Sequence, residues 1–436
     1  MITRMTYTET IEYLFSRLPM FSRMGAAAIK SDLVNTLKIC NYLSDPQKKF
    51  RSIHIAGTNG KGSCSHMIAA ILQECGYRTG LYTSPHLKDF RERIRIDGEM
   101  VSKDFVVEFT ERIKPLIEEI NPSFFELTVG MAFEYFAIQR IDIAVIETGL
   151  GGRLDSTNVI TPELSVITNI GMDHMNILGD TPELIAAEKA GIIKKNVTAI
   201  VGESSDITDK VFLATAANKH APIVFADKRY YAADWQHSNG YLITNVVNSH
   251  DQSRVTYELD LPGYYQLKNM VTVSEVIHQL RAKKFDLPQD KVTKALKQVK
   301  KTTGLHGRWD VIHQHPMIVL DVAHNEDGMR QLVKQLELSD YRQLHIIIGM
   351  VKDKEIDKVL ALLPQEAAYY FTKAQIPRAL PENILHEKAI ASGIHGEAFP
   401  EVNIALKNAL AKAAAEDLIL VCGSVFVVGE VLPVHT

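Results

Sequence analysis

Residues 53 to 72 read IHIAGTNGKGSCSHMIAAIL, an apolar run, a glycine-rich turn and a helical run in succession. Gly57 and Gly60 let the backbone approach an anion without a Cβ in the way. The amides of Gly57, Thr58, Asn59, Gly60 and Gly62 can form a nest, and a helix opening near Ser63 turns its positive end on the same point. Lys61 adds a full charge for the β- and γ-phosphates of a nucleotide. The common phosphate loop is spaced G-x-x-x-x-G-K-[ST]. Here Gly57 and Gly60 are three apart, and Gly62 separates Lys61 from Ser63. A glycine turn that binds nothing is the bland alternative. The lysine and the strand–loop–helix setting argue against it.

ATP brings Mg²⁺, which takes a few protein oxygens and keeps several waters. Glu147 ends the apolar run of DIAVIETGLGG, where open parallel sheets bind their ligands. A carboxylate in that position is costly unless paired or metal-bound. Asp173 and His174 follow LSVITNIG and emerge at the same sheet edge. Taken alone, His174 reads as a satisfied loop histidine. Glu147 on a neighbouring strand end moves it toward a ligand role.

The elements that must hold these groups alternate. Residues 6 to 46 have helical spacing. Strands are expected at RSIHIAG, RTGLYTS, DIAVIE and LSVITN, with helices over KGSCSHMIAAILQECG, VGMAFEYFAIQRI and TPELIAAEKAGII. That alternation implies an α/β fold with a mostly parallel sheet covered on both faces. NGYLITN and SRVTYELDL suggest antiparallel strands, an excursion at a sheet edge. A helical stretch follows at about 266 to 300, then the linker-like KKTTGLHGRWD. MIVLDVAHN, LHIIIGMV, AAYYFTKA and DLILVCGS supply four strands of a smaller, second α/β unit, Rossmann-like in pattern. The expected division is residues 1–300, carrying the nucleotide loop, and residues 308–436.

Bulk properties agree with a soluble enzyme. The chain has 436 residues, 46% hydrophobic and 23% charged, with net charge −4. That balance argues against a nucleic-acid binder. Cys40, Cys64, Cys75 and Cys422 form no C-x-x-C pair, so free thiols in a reducing compartment are expected. There is no apolar leader at the N-terminus and no apolar run of ~18 residues, so a cytoplasmic protein without a membrane span is expected.

Eight motifs in order, GTNGKGS, LYTSPHL, RERIRIDGE, ETGLGGRLDSTN, DHMNILG, EKAGIIK, HGRWD and DVAHN, resemble the folylpolyglutamate synthase and dihydrofolate synthase family of the Mur ligase superfamily. The resemblance spans about residues 10 to 430. It implies an ATP-dependent amide-forming ligase with a P-loop ATPase domain and a smaller glutamate-binding domain. Its substrates would be L-glutamate and either dihydropteroate or a reduced folate. It implies one or two Mg²⁺ held by Ser84, Glu147 and His174, and nucleotide contacts at Asn269, Arg308 and Asp321. His324 and Ser424 match glutamate-holding positions. The segment Ser84, Pro85, His86 to Arg93 resembles a mobile loop that closes over the pterin, and Ser123, Glu126 and Asp155 match positions lining the pterin pocket. Lys189 matches a lysine that the family carbamylates. The family is usually monomeric. The chain departs from the family pattern at His306, where Pro is usual, at Val322 in DVAHN, at Ser123 and at Tyr265, where His is common.

Two other readings are weighed. A cell-wall Mur ligase acting on a UDP-sugar peptide carries a UDP-binding domain before its phosphate loop, and some fifty residues before Gly57 are too few for one. A nucleotide-gated scaffold with a dead site predicts missing ligands. Lys61, Glu147, His174, Arg308 and Asp321 are all present.

Overall fold

The computed structural model describes residues 4–25, 30 and 32–433. The first sheet has eight strands: β1 Arg51–Ala56, β2 Thr79–Tyr82, β3 Ile94–Ile96, β4 Glu99–Met100, β5 Ile143–Glu147, β6 Leu164–Ile167, β7 Thr198–Val201 and β8 Ile223–Phe225. Their order is β4-β3-β2-β5-β1-β6-β7-β8. All neighbours are parallel except β2–β3 and β3–β4, which form an antiparallel edge. The central strands are buried along almost their whole length because helices cover both faces. β1 sits between β5 and β6, so the carboxyl ends of all three converge on one crevice.

The antiparallel excursion is a separate sheet. β9 Tyr230–Ser238, β10 Tyr241–Asn248 and β11 Arg254–Leu259 pair only with one another. Their apolar face joins the core around the helix Lys61–Glu74, burying Leu242, Val246, Tyr257 and Leu259. The only indole on this sheet, Trp235, packs edge-on against Tyr264.

Two expected helices are broken. The run from 6 to 46 becomes Tyr7–Arg17, Phe21–Met24 and Val34–Tyr42, with residues 26–29 and 31 outside the described residues. The run 266–300 divides into Gln266–Ala282, Gln289–Leu296 and Val299–Thr303. Pro288 has no N–H to donate and caps the second of these. The expected linker is therefore largely structured. Its first residues end a helix, Gly304 takes a left-handed turn, and Asp310 opens a strand.

The second sheet has six strands where four were expected: β12 Asp310–Gln314, β13 Met317–Leu320, β14 Leu344–Ile348, β15 Ala368–Phe371, β16 Gly396–Ala398 and β17 Leu418–Cys422. The order is β12-β13-β17-β14-β15-β16, parallel except for β12. The two extra strands are edge strands, short or polar, so they lack the apolar run that marks the others. The carboxyl ends of β13 and β17 face those of β1, β5 and β6 across the crevice, as the bonds below establish.

Candidate active site

β1 delivers the chain to the glycine turn, and the helix Lys61–Glu74 leaves it. Gly60 has φ +81°, and a Cβ there would collide with Asn269 Oδ1. Only glycine satisfies both the backbone and the close approach. The turn is clamped from β6. Thr58 N donates to Asn169 O at 3.0 Å, Asn59 N to Asn169 Oδ1 at 2.8 Å, and Thr168 Oγ1 to Asn59 O at 2.6 Å. Ser63 accepts from Gln266, which accepts from Asn269, so the loop is also tied to the helix Gln266–Ala282. Thr168 and Asn169 escaped the sequence reading. Their only signal was polar residues at the end of an apolar strand.

Lys61 folds back on its own loop, donating to Gly57 O at 2.9 Å and Thr58 O at 3.1 Å. Burial lowers its pKa, opposed by the charges of Glu147 and Asp173. Lys189 comes to the same carbonyl from the helix Pro182–Ala190, with Nζ 2.9 Å from Gly57 O. It is 3% exposed, so the alternative of an ordinary surface lysine beside Glu188 is excluded. Burial, with the neighbouring Lys61 charge, pushes its amine down to about 7. Glu188 faces outward and pairs with Arg153 at 2.7 Å.

Glu147 ends β5, is buried, and pairs with no cation among the described ion pairs. Burial raises its carboxyl to about 7, against the pull of Lys61, Arg308 and a backbone bond from Ser84. Gly62 is where the parts meet. A Cβ there would lie 3.5 Å from Arg308 Nη2 and 3.8 Å from Glu147 Oε2. One position of the phosphate loop thus touches a carboxylate of the first sheet and a guanidinium arriving with the second.

His174 starts a short turn after β6 with φ 53°. Burial holds its pKa down to about 3, so the imidazole is neutral and able to ligate. Asp173 beside it is a hub between the two sheets. Burial would raise its carboxyl, yet His324, Lys354 and His174 hold it well below the usual range. Lys354 pairs with it directly, Asn325 donates to it at 3.0 Å, and His324 lies 3.5 Å away. Lys354 also lies 3.4 Å from His174 Nε2. Asn325 reaches Asn59 of the phosphate loop as well. The sequence reading named Asp173 only as a neighbour and did not single out Lys354.

No group of three His, Cys, Asp or Glu side chains suited to a metal occurs among the described residues. A site of Ser84, Glu147 and His174 agrees with that. One carboxylate, one hydroxyl and one neutral imidazole leave most coordination positions to water and phosphate, which suits Mg²⁺ or Mn²⁺. The buried, cation-free carboxylate of Glu147 is the feature such an ion would complete.

The remaining expected residues have structural duties. Ser123 and Glu126 form a capping box on the helix Phe124–Ile138, with Glu126 Oε2 2.6 Å from Ser123 N. Glu126 Oε1 is buried without a partner, so one acceptor stays available. Asp155 spends both oxygens on the loop it belongs to, receiving Leu150 N and Thr157 N. Arg93 donates to His86 Nδ1 at 2.8 Å, and the His86 ring stacks on Phe15, which braces the segment from Ser84. That segment also meets the end of the second unit. Lys88 donates to Val431 O at 2.9 Å, and Gly429 lies against the Leu87 carbonyl.

In the second unit, Asp321 leaves β13 and is 3% exposed. Its Oδ2 accepts from Trp309 N at 2.8 Å and from Tyr265 Oη at 2.7 Å, and its Oδ1 from Ala323 N at 2.9 Å. Arg308 is carried by a loop that Asp310 fastens through Lys300, His306 and Gly307 N. Ser424 follows β17 and caps the helix Val425–Gly429, accepting from Phe426 N and Val427 N. Its O–H remains free to donate, but no hydrogen bond joins it to the crevice.

Comparison with known proteins agrees with this geometry. Residues 55–277 match the Mur ligase middle domain and residues 307–425 the Mur ligase, glutamate ligase domain. A folylpolyglutamate synthase of Lacticaseibacillus casei is 33% identical over 88% of this chain and 90% of its own. A probable bifunctional folylpolyglutamate synthase/dihydropteroate synthase of Haloferax volcanii is 31% identical over 98% of this chain, which spans only 50% of that protein. Among solved structures, a bifunctional folylpolyglutamate synthase/dihydrofolate synthase with Mn, AMPPNP and L-glutamate bound superposes with a TM-score of 0.82 at 27% identity, covering 98% of each chain.

Proposed function

The chain belongs to the folylpolyglutamate synthase and dihydrofolate synthase family of the Mur ligases, and from that premise we propose how its crevice makes an amide. It is an ATP-dependent ligase that adds glutamate to folates. The acceptor acid is dihydropteroate, the glutamate tail of a reduced folate, or both in turn. The observation that carries this reading is the convergence at Gly62 of the phosphate loop, Glu147 and Arg308.

A carboxylate does not acylate an amine at neutral pH, because its oxygen is a poor leaving group. The acceptor carboxylate oxygen attacks the γ-phosphorus of ATP, the bond to the β–γ bridging oxygen breaks, and ADP leaves. The product is an acyl phosphate. The α-amine of L-glutamate, free of its extra proton, adds to the acyl carbon. The tetrahedral intermediate expels phosphate and leaves the amide.

Lys61 swings from its two loop carbonyls to the β- and γ-phosphates and offsets charge on the transferring oxygens. Arg308 reaches the same phosphates from the other side, so the nucleotide lies between a unit of residues 1–300 and one of residues 308–436. Ser84, Glu147 and His174 would hold Mg²⁺, which when bound would draw charge from the phosphoryl oxygens. Lys189 is carbamylated: its amine, about half of it unprotonated at pH 7, adds CO₂ and loses a proton, placing an anion beside Lys61. His324 and Ser424 hold glutamate, and Glu126 Oε1 and the loop from Ser84 through Pro85 and His86 to Arg93 hold the pterin end. Closure of the crevice keeps water from the acyl phosphate. Among the described residues no helix is long and apolar enough to cross a membrane, and the four cysteines are free, which supports a cytoplasmic setting.

An ADP-release assay with L-glutamate and either dihydropteroate or tetrahydrofolate tests the proposal. Amide formation with at least one acid is expected. AMP and pyrophosphate as products, or no amide with either acid, overturn it.

A further inference from the structure

Asp321 is a buried carboxylate facing a crevice built for a polyphosphate. A carboxylate repels phosphate oxygens, so the part of a nucleotide it can hold is a donor, and the sugar hydroxyls are the donors of ATP nearest the phosphates. Its hold depends on which way the carboxylate is turned. Two of its three partners, Trp309 N and Ala323 N, are backbone groups of its own unit. The third is the hydroxyl of Tyr265, which precedes the helix Gln266–Ala282 on the far side of the crevice.

Tyr265 is itself held. Its ring lies on the backbone of Gly263, where a Cβ would stand 2.7 Å from ring Cζ. Burial and the Asp321 charge keep its hydroxyl protonated, hence a donor. The adjacent Tyr264 N also crosses to the second unit and donates to Gln335 Oε1 at 2.5 Å. The GYYQLKN segment, which ends on Asn269, thus fastens one side of the crevice to the other.

We propose that Tyr265 is a positioning residue for the nucleotide, setting the rotation of the Asp321 carboxylate from across the crevice so that its one remaining acceptor site, on Oδ1, meets a sugar hydroxyl. The proposal rests on the reading of Asp321 as a nucleotide contact. Closure and sugar recognition then share one hydrogen bond: the hydroxyl that draws the two units together also aims the carboxylate.

The test compares Tyr265→Phe, Tyr265→His and Asp321→Asn in the full chain. Calorimetric AMPPNP affinity and steady-state kinetics are the readouts. Tyr265→Phe is expected to weaken AMPPNP about tenfold, the scale of a hydrogen bond to a charged group. KM for ATP rises in step, while kcat at saturating ATP stays within about threefold. Tyr265→His restores a ring N–H and recovers most of the affinity. With 2′-deoxy-ATP or 3′-deoxy-ATP, whichever lacks the hydroxyl that Asp321 holds, the penalty of Tyr265→Phe disappears. An unchanged AMPPNP affinity in a folded Tyr265→Phe overturns the proposal, and so does a lowered melting temperature with unchanged affinity. If Asp321→Asn also leaves affinity unchanged, the nucleotide reading of Asp321 falls with it. If Asp321→Asn weakens binding and Tyr265→Phe does not, only the role of Tyr265 falls.

Discussion

The two walls of the crevice handle charge differently. On the first sheet, Lys61, Lys189 and Glu147 are partly or wholly buried, and none has an ion-pair partner among the described residues. Lys61 and Lys189 are both turned onto the Gly57 carbonyl, and Glu147 is raised to about 7. On the second, Asp321 has three donors, Asp310 has Lys300 and His306, and Ser424 caps a helix. Of these groups, those of the first wall lack a charged partner, and those of the second are already satisfied. Uncompensated charge costs stability, and a site keeps it where a ligand supplies the missing charge. On the proposed reading the first wall is the place for triphosphate and metal. The second holds and orients.

Substitutions can break this contrast. The largest effect is expected from Lys61→Ala, which removes the phosphate loop's own charge. ADP release should fall about 10²–10³-fold, the scale seen when a single transition-state donor is deleted, with the melting temperature kept or raised. Turnover within a few-fold of the parent would show that the first wall does not do phosphoryl chemistry.

Next comes Lys189. The free amine has a pKa of about 7 when folded, below its ordinary 10.5. Between those values the unfolded chain binds more protons, so stability rises with pH across that window and is lost as pH falls toward 7. With CO₂ excluded and no ligand, the melting temperature should drop from pH 9.5 to 7.5. Lys189→Met should remove that part of the slope. Added ¹³C-bicarbonate should give a carbamate resonance in the parent and none in the variant. A parent without the resonance and without the slope would make Lys189 an ordinary structural lysine.

Gly60→Ala tests geometry rather than charge. The left-handed backbone alone costs roughly 1–2 kcal/mol, and Asn269 must also move. Nucleotide affinity should fall while the second sheet keeps its hydrogen-exchange protection. The smallest effects belong to the caps. Ser123→Ala and Ser424→Ala each lose an N-cap worth about 1 kcal/mol. Only Ser424→Ala should also raise the KM for glutamate, which sharpens the difference between a cap and a cap that serves a substrate.

The sequence made the nucleotide side legible because its constraints are local. A glycine turn between a strand and a helix points to an anion within about ten residues, and Glu147 announces itself as a carboxylate ending an apolar strand, with His174 drawn in only through that neighbour. What escaped depended on contacts distant in sequence. Asp173 acquires its role only when Lys354, 181 positions away, arrives at it. Tyr265 reads as a departure from a motif until Asp321, 56 positions on, stands beside it. A capping box went unread: Ser123 and Glu126 match positions lining a substrate pocket, and their spacing of three is also the spacing of a helix start. The edge strands β12 and β16 and the separate three-stranded sheet were missed or misplaced because short, half-polar strands leave little periodicity to read.

The chain has two tryptophans. Trp309 is buried in the core of the second unit, with its backbone N on Asp321, and Trp235 lies half-buried on the small antiparallel sheet. Replacing Trp235 with phenylalanine would leave a single emitter, set in the second unit's core and tied through its own main chain to Asp321. Stopped-flow light emission from that one indole would follow changes inside the second unit, with no dye attached.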